Sequence, residues 1–168
     1  VFLDLKLFDI PHHHLHLSLG FSAPTGDVNQ KVSGPFFTHY MMQLGSGTWD
    51  FRPSLTYTGS LDDFSWGAQF SGVKRPNDRN VSGYVLGDLF QSTAWTSYQL
   101  TDWLSANVRG AYTRSFRILG KYNGPHFEDG PMDFPQNYGG RLWEVGFGLN
   151  ADVTTGELKG NSLSIEWV

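Results

Sequence analysis

Apolar and polar residues alternate along most of the chain, the pattern of strands that face two different environments. Val1, Leu3, Leu5 and Leu7 alternate with Phe2, Asp4, Lys6 and Phe8, and Leu15, Leu17, Leu19 and Phe21 with His14, His16, Ser18 and Gly20. Trp49, Phe51, Leu55 and Tyr57 interleave with Asp50, Arg52, Ser54 and Thr56, and Phe64, Trp66, Ala68 and Phe70 with Ser65, Gly67, Gln69 and Ser71. The same rhythm returns as Leu104, Ala106, Val108 and Tyr112 against Ser105, Asn107, Arg109 and Thr113. It is again clear as Trp143, Val145, Phe147, Leu149 and Ala151 against Glu144, Gly146, Gly148, Asn150 and Asp152. Two strands are less regular. In Gly87–Gln99 the pattern sets Phe90, Ala94 and Tyr98 against Gln91, Thr93 and Gln99, and in Asn161–Val168 Leu163, Ile165 and Trp167 share a face. No stretch holds a helical period.

The links between these strands alternate in length. Asp9–His13, Gly59–Asp63, Leu100–Trp103 and Thr154–Gly160 are short, whereas Pro24–Ser46, Arg75–Gly83 and Ser115–Gly139 are longer. Tight turns at one end and extended loops at the other are the habit of an outer-membrane barrel; Greek-key sandwiches have no reason to keep it. The expected fold is therefore all-β: an antiparallel up-and-down transmembrane β-barrel with eight strands visible, occupying residues 1–168 as one domain. With short turns periplasmic, both chain ends fall on the extracellular side. That parity predicts further strands at each end, in a barrel of about ten to twelve or more.

Composition fits this picture. The chain carries 13 Phe, 7 Tyr and 6 Trp beside 20 Gly, and only 17% of its residues are charged. Aromatics favour strands and glycine suits turns and crowded β surfaces. A mean hydropathy of −0.32 goes with the absence of any apolar run near the roughly 20 residues of a membrane helix, but barrel strands need only about half that length. There is no cysteine and the net charge is −4, so neither a disulfide framework nor nucleic-acid binding is indicated. No signal peptide is visible at the start of the sequence.

Candidate chemistry is sparse. Asp50, Arg52, Gln69, Asn107, Arg109, Glu144 and Asn150 are the expected lumen-lining residues, with Asp4, Lys6 and Asp152 on the same side. Lumen charges either set the selectivity of a pore or neutralise one another in a packed interior, and pore radius is not legible in sequence. His12, His13, His14 and His16 suggest a metal site, with His14 and His16 on one strand face; polar residues at a turn rim are the preferred reading, so no metal or cofactor is expected. Asp62 and Asp63 lie beside Gly59 and read as turn chemistry rather than an acid–base pair. No Ser, His and Asp grouping has the setting of a hydrolase nucleophile, and an enzyme is not expected. The six tryptophans mostly fall near strand ends, as in an interfacial aromatic belt. In Ser115–Gly139, Pro125, Pro131 and Pro135 argue against ordinary strands, while Phe127, Phe134 and Tyr138 are candidate gate residues over a barrel mouth.

Several segments in order resemble the outer-membrane transporters assigned to the MetA pathway of phenol degradation. They are Leu5–Leu7, Leu15–Asp27, Met42–Asp50, Leu55–Gly59, Asp63–Gln69, Thr101–Ala106, Gly146–Asn150 and Leu158–Gly160. Departures are confined to Pro35–Tyr40 and Gly124–Asn137, inside expected loops. The resemblance implies passage of small hydrophobic or aromatic solutes by diffusion through a lumen in the bacterial outer membrane. It transfers no catalytic residue. Expected partners are outer-membrane lipid, the solute, and a further copy of the chain or another envelope protein. Two other readings stay open: a non-conducting barrel that anchors or encloses a partner, and a soluble ligand-binding β-barrel.

Overall fold

The computed structural model describes residues 1–76 and 78–168; the expected link Arg75–Gly83 includes Asn77, outside the described residues. In chain order the strands are β1 (Phe2–Ile10), β2 (His13–Ser22), β3 (Lys31–Ser33), β4 (Phe36–Phe37), β5 (Asp50–Leu61) and β6 (Phe64–Val73). There follow β7 (Tyr84–Val85), β8 (Leu89–Thr101), β9 (Leu104–Ser115), β10 (Leu119–Gly120), β11 (Gly140–Asp152) and β12 (Ser162–Trp167). The eight long strands form one antiparallel meander in the order β1-β2-β5-β6-β8-β9-β11-β12, each beside its predecessor among the long strands. Among the described residues β1 and β12 share no ladder, so the sheet is open.

Register carries the sequence pattern into space. Because partners across a ladder share a face, Leu17, Leu55 and Phe70 lie in one row, and Ala68, Ala94, Gly110 and Val145 in another. Opposite them, His16, Thr56, Gln69, Thr93, Ala111 and Glu144 make a polar row. Tight reversals keep the rows aligned: His12 (φ 67°) and Asp62 (φ 49°) occupy the left-handed region at the first two short turns, a conformation that His and Asp tolerate better than branched residues.

The large apolar side chains of the sheet lie on its exposed face. Along β11, Val145, Phe147 and Leu149 are exposed while Gly146 and Gly148 between them are buried. Phe70 is 54% exposed and Phe147 57%. The polar face is the enclosed one, and nothing among the described residues covers the apolar one. Aromatic residues gather towards both ends of that apolar face. Phe21 meets Phe51 at 5.1 Å and Tyr112 meets Trp143 at 4.4 Å near the long-loop end, and Phe64 meets Trp66 at 5.6 Å near the short turns.

One position breaks the alternation, and two others place a residue on a face unlike its character. A bulge between Lys6 and Phe8 leaves Leu7 without a partner and sets Phe8 opposite Leu15, so Phe8 joins the apolar face instead of the polar one. His13 pairs across Gly59 and stacks on Tyr57 at 6.1 Å, on the opposite face from His14 and His16. Trp95, one of the six tryptophans that mostly fall near strand ends, is an exception: it lies mid-strand on the polar face opposite Gly67. A Cβ at Gly67 would come within 2.3 Å of the Trp95 ring, so the glycine is what gives the indole its seat.

The well-packed core of the chain is not in the sheet. Phe37, Tyr40, Tyr84, Ile118 and Tyr122, drawn from the β2–β5, β6–β8 and β9–β11 connections, are buried against each other. Tyr122 stacks between Phe37 and Tyr40, 4.4 Å from each, and Tyr84 packs edge-on to Tyr40 at 4.9 Å. Each such pair contributes about 0.5–1.5 kcal/mol beyond its buried area. Two small ladders, β3 with β4 and β10 with β7, stand apart from the main sheet. The proline-rich segment after β10 forms 3-10 turns at Pro131–Asp133 and Pro135–Asn137, each begun by the residue whose missing N–H costs least there. The three links thus fold together as a cap.

Candidate functional site

All seven sequence-derived polar candidates stand on the enclosed face of the sheet, but in different settings. Asp50, at the loop end of β5, is 3% exposed. It accepts a hydrogen bond from Thr48 Oγ1 at 3.0 Å and an ion pair from Arg75 Nε at 3.3 Å, with Arg52 Nη2 at 4.0 Å. Arg75 comes from the second long link, so this cluster ties the cap to the sheet. Gln69 Nε2 donates to Thr56 Oγ1 at 2.8 Å, and Asn150 Nδ2 to Ser105 Oγ at 3.5 Å. Arg109 Nε meets Glu166 Oε1 at 2.8 Å. That pair bridges Gly146, where a Cβ would fall 2.2 Å from the Glu166 carboxylate. Asn107 lies over Gly148 on the same face, and Glu144 is half-buried beside Ala111. Trp95 and Arg109 are direct ladder partners, placing an indole, a guanidinium and a carboxylate together in the middle of the polar face.

The loop candidates belong to the cap. Phe127 lies against Phe36 at 5.5 Å and His39 at 5.9 Å. Tyr138 packs edge-on to Tyr40 at 5.8 Å, and its hydroxyl donates to the Met132 carbonyl at 2.6 Å. Phe134 lines a separate depression with Ile118, Lys121 and His126. The cap's polar fastening runs through Gln43, whose Nε2 donates to Tyr122 Oη at 2.9 Å while its Oε1 accepts from the Gln30 amide at 3.0 Å. Ser82 Oγ donates to the Val28 carbonyl at 2.7 Å.

Beneath Phe127 is an arrangement that sequence reasoning missed. His39 Nδ1 is hydrogen-bonded to Asp133 Oδ1, and Asp133 Oδ2 accepts from the backbone amides of Gly130 (2.8 Å) and Asp129 (3.1 Å). Burial works against the charge of Asp133, but the Gly130 amide and His39 outweigh it and hold its carboxyl below the usual value. Burial raises the phenols of Tyr40, Tyr84 and Tyr122 above theirs. His39 and Asp133 are separated by most of the chain, so no local spacing marks the pair. The nearest signal is the gathering of aromatic and histidine residues in the long links.

His14 and His16 remain neighbours on the polar face, with ring centroids 6.5 Å apart and His14 hydrogen-bonded to Asp9. His13 lies on the other face, so the histidine run is divided between two environments. A search of curated proteins returns no match. One family model does align, over residues 3–163, and its description reads "Putative MetA-pathway of phenol degradation". Matching nearly the whole eight-stranded meander and its cap, it establishes that the chain belongs to this phenol-degradation MetA-pathway family.

Proposed function

We propose that the chain forms the wall of a bacterial outer-membrane channel that passes small hydrophobic or aromatic solutes by diffusion, with no covalent chemistry and no cofactor. The observation that carries the reading is the inversion of the sheet: uncovered apolar side chains on one face, enclosed polar ones on the other. Lipid is the solvent in which that arrangement costs least, because each outward Phe, Leu or Val keeps about 1.5–3 kcal/mol of burial that water would withhold. Aromatic side chains towards both ends of the apolar face suit the two headgroup regions. Backbone groups at the edges of β1 and β12 need partners in a bilayer, so the sheet closes there with further strands into a barrel.

In this reading Arg109, Glu166 and Trp95 form the narrow, mixed-charge part of the lumen, and the family's association with phenol degradation suggests the solute class. The cap covers the extracellular mouth. Outer-membrane lipid is the main partner, joined by another copy or an envelope protein. One observation favours the non-conducting alternative: Asp50, Arg109 and Glu166 are already paired, and the cap has its own packed core.

Planar-bilayer recording of the full-length protein separates the two. Discrete conductance steps, with phenol uptake into proteoliposomes above that of empty vesicles, are expected. A folded, inserted protein with neither supports anchoring. Spin labels at Leu17 and Ser18 test the membrane assignment itself: oxygen-type relaxation should dominate at Leu17 and water-type relaxation at Ser18. Equal water access at both sites supports the soluble alternative.

A further inference from the structure

The cap contains a cavity of about 530 Å³ lined by Val32, Thr38, Met42, Phe127, Met132 and the His39–Asp133 pair. We infer that this cavity is a binding site for a neutral ring-sized molecule bearing a hydroxyl group. This deepens the channel reading, because the site would sit on the solute's route, and it rests on that reading only for its place in transport.

Size, wall chemistry and hydrogen-bond polarity each restrict the occupant. The volume is in the range of small-molecule sites and admits one or two rings. Val32, Met42, Phe127 and Met132 offer branched, thioether and aromatic surface. Thioethers adapt to a flat guest and make favourable contacts with its edge. Asp129 and Asp133 also line the space, so an anionic guest meets like charge in a poorly hydrated setting. The histidine supplies the polarity. Asp133, as a carboxylate, can only accept, so Nδ1 of His39 is the donor of their hydrogen bond; in the neutral form of the ring Nε2 then carries the free lone pair. Among the described residues nothing hydrogen-bonds Nε2. A hydroxyl donor satisfies it and an ether does not. The two backbone amides fix Asp133, and Asp133 in turn fixes the His39 ring that lines the cavity. A second cavity of about 370 Å³ shares His39, Met42 and Met132 and adds Tyr138 and Pro131, making those three residues a partition between two chambers.

The sequence has only three methionines, Met41, Met42 and Met132, and all three line one or both chambers. In full-length protein with carbon-13-labelled methionine methyls, the Met42 and Met132 signals, assigned by Met→Leu substitution, report directly on the site. Phenol, anisole and benzoate are the probes, titrated into the protein in lipid nanodiscs. Saturable shifts of the Met42 and Met132 methyls are expected with phenol, with affinity about tenfold weaker for anisole, the scale of one lost hydrogen bond. Benzoate should cause no saturable shift. His39→Phe keeps the ring and removes the acceptor, and should bring phenol and anisole to equal affinity. Met132→Trp fills the cavity and should abolish both, and Val32→Trp does so from another wall if the first variant does not fold. Unsaturable shifts, equal affinities for phenol and anisole in the wild type, or phenol binding that survives a folded cavity-filling variant would each overturn the proposal. Conductance is scored separately. Saturable methyl shifts in a protein that does not conduct sink the channel and leave the site standing; conductance without them does the reverse.

Discussion

The sheet and the cap are built from the same amino acids under opposite rules. In the sheet, large apolar side chains point away from the protein and small or polar ones are enclosed: Val145 is 56% exposed while Gly146 beside it is buried. In the cap, Tyr84 and Tyr40 are 0% and 2% exposed and the charged residues turn outward or pair. One chain of 168 residues therefore holds a region that leaves its apolar side chains uncovered and a region that makes its own apolar interior. The lesson is that burial has no meaning until the solvent is named.

The comparison is broken most directly from the cap side. Tyr84→Ala removes a fully enclosed ring between Tyr40 and Tyr122, and the expected cost is about 3–5 kcal/mol, on the scale of other buried aromatic truncations. Hydrogen exchange should locate the loss: the amide of Asn123, bonded to the Ser82 carbonyl at 2.9 Å, should open while the β9–β11 ladder keeps its protection. Loss in both places would mean that cap and sheet fold as one unit. From the sheet side, Val108→Arg should cost about 2–4 kcal/mol in reversible unfolding from lipid vesicles, where its neighbour Asn107→Arg, on the other face, should cost much less. Equal costs would erase the distinction between the faces.

Acidity and alkalinity sharpen the contrast further, since the shifted groups considered lie in the cap. Asp133 has its folded pKa below the ordinary value, so it contributes stability above about pH 4 that is lost as pH falls below it. The enclosed tyrosines are shifted upward, so their contribution is full below about pH 10 and lost as pH rises through the folded values. Cap exchange followed against pH should show a plateau between those limits, and tyrosinate absorbance should appear together with cap opening. Exchange in the β9–β11 ladder should not follow either limb. The smallest effect is expected at Arg109→Gln. Its pair with Glu166 is partly solvated, so stability should change by less than about 1 kcal/mol, while the reversal potential of an open channel should move towards stronger cation preference.

How much of this could be read beforehand depended on distance along the chain. The strands were legible because one face of each is set by residues two apart, and Leu15, Leu17 and Leu19 announce it locally. Short turns were legible through local turn residues such as Gly59 and Asp62. Leu7 and Phe8 were not, since two consecutive apolar residues do not show where a bulge lies. The seat of Trp95 was not legible, because it depends on Gly67, a neighbour only after the ladder has formed. The cap was invisible: Tyr40, Tyr84 and Tyr122 come from three separate links, and what joins them is packing rather than period. The polar-face candidates were found by alternation, whereas His39 and Asp133 carry no spacing that could have paired them.

The unpaired Leu7 gives β1 a particular grammar of insertion and deletion. On its turn side Asp9 faces His14, and on its far side Lys6 faces His16; the extra residue keeps both on the polar face although their sequence separation is odd. Removing Leu5 or Lys6 would invert the face assignment of every residue before the gap. Removing Leu7 alone would bring Lys6 directly against Phe8, restore an unbroken ladder, and leave each remaining side chain where it already points. In a strand where almost any frame-length change is ruinous, this position is the one at which the chain can lose a residue and keep its wall.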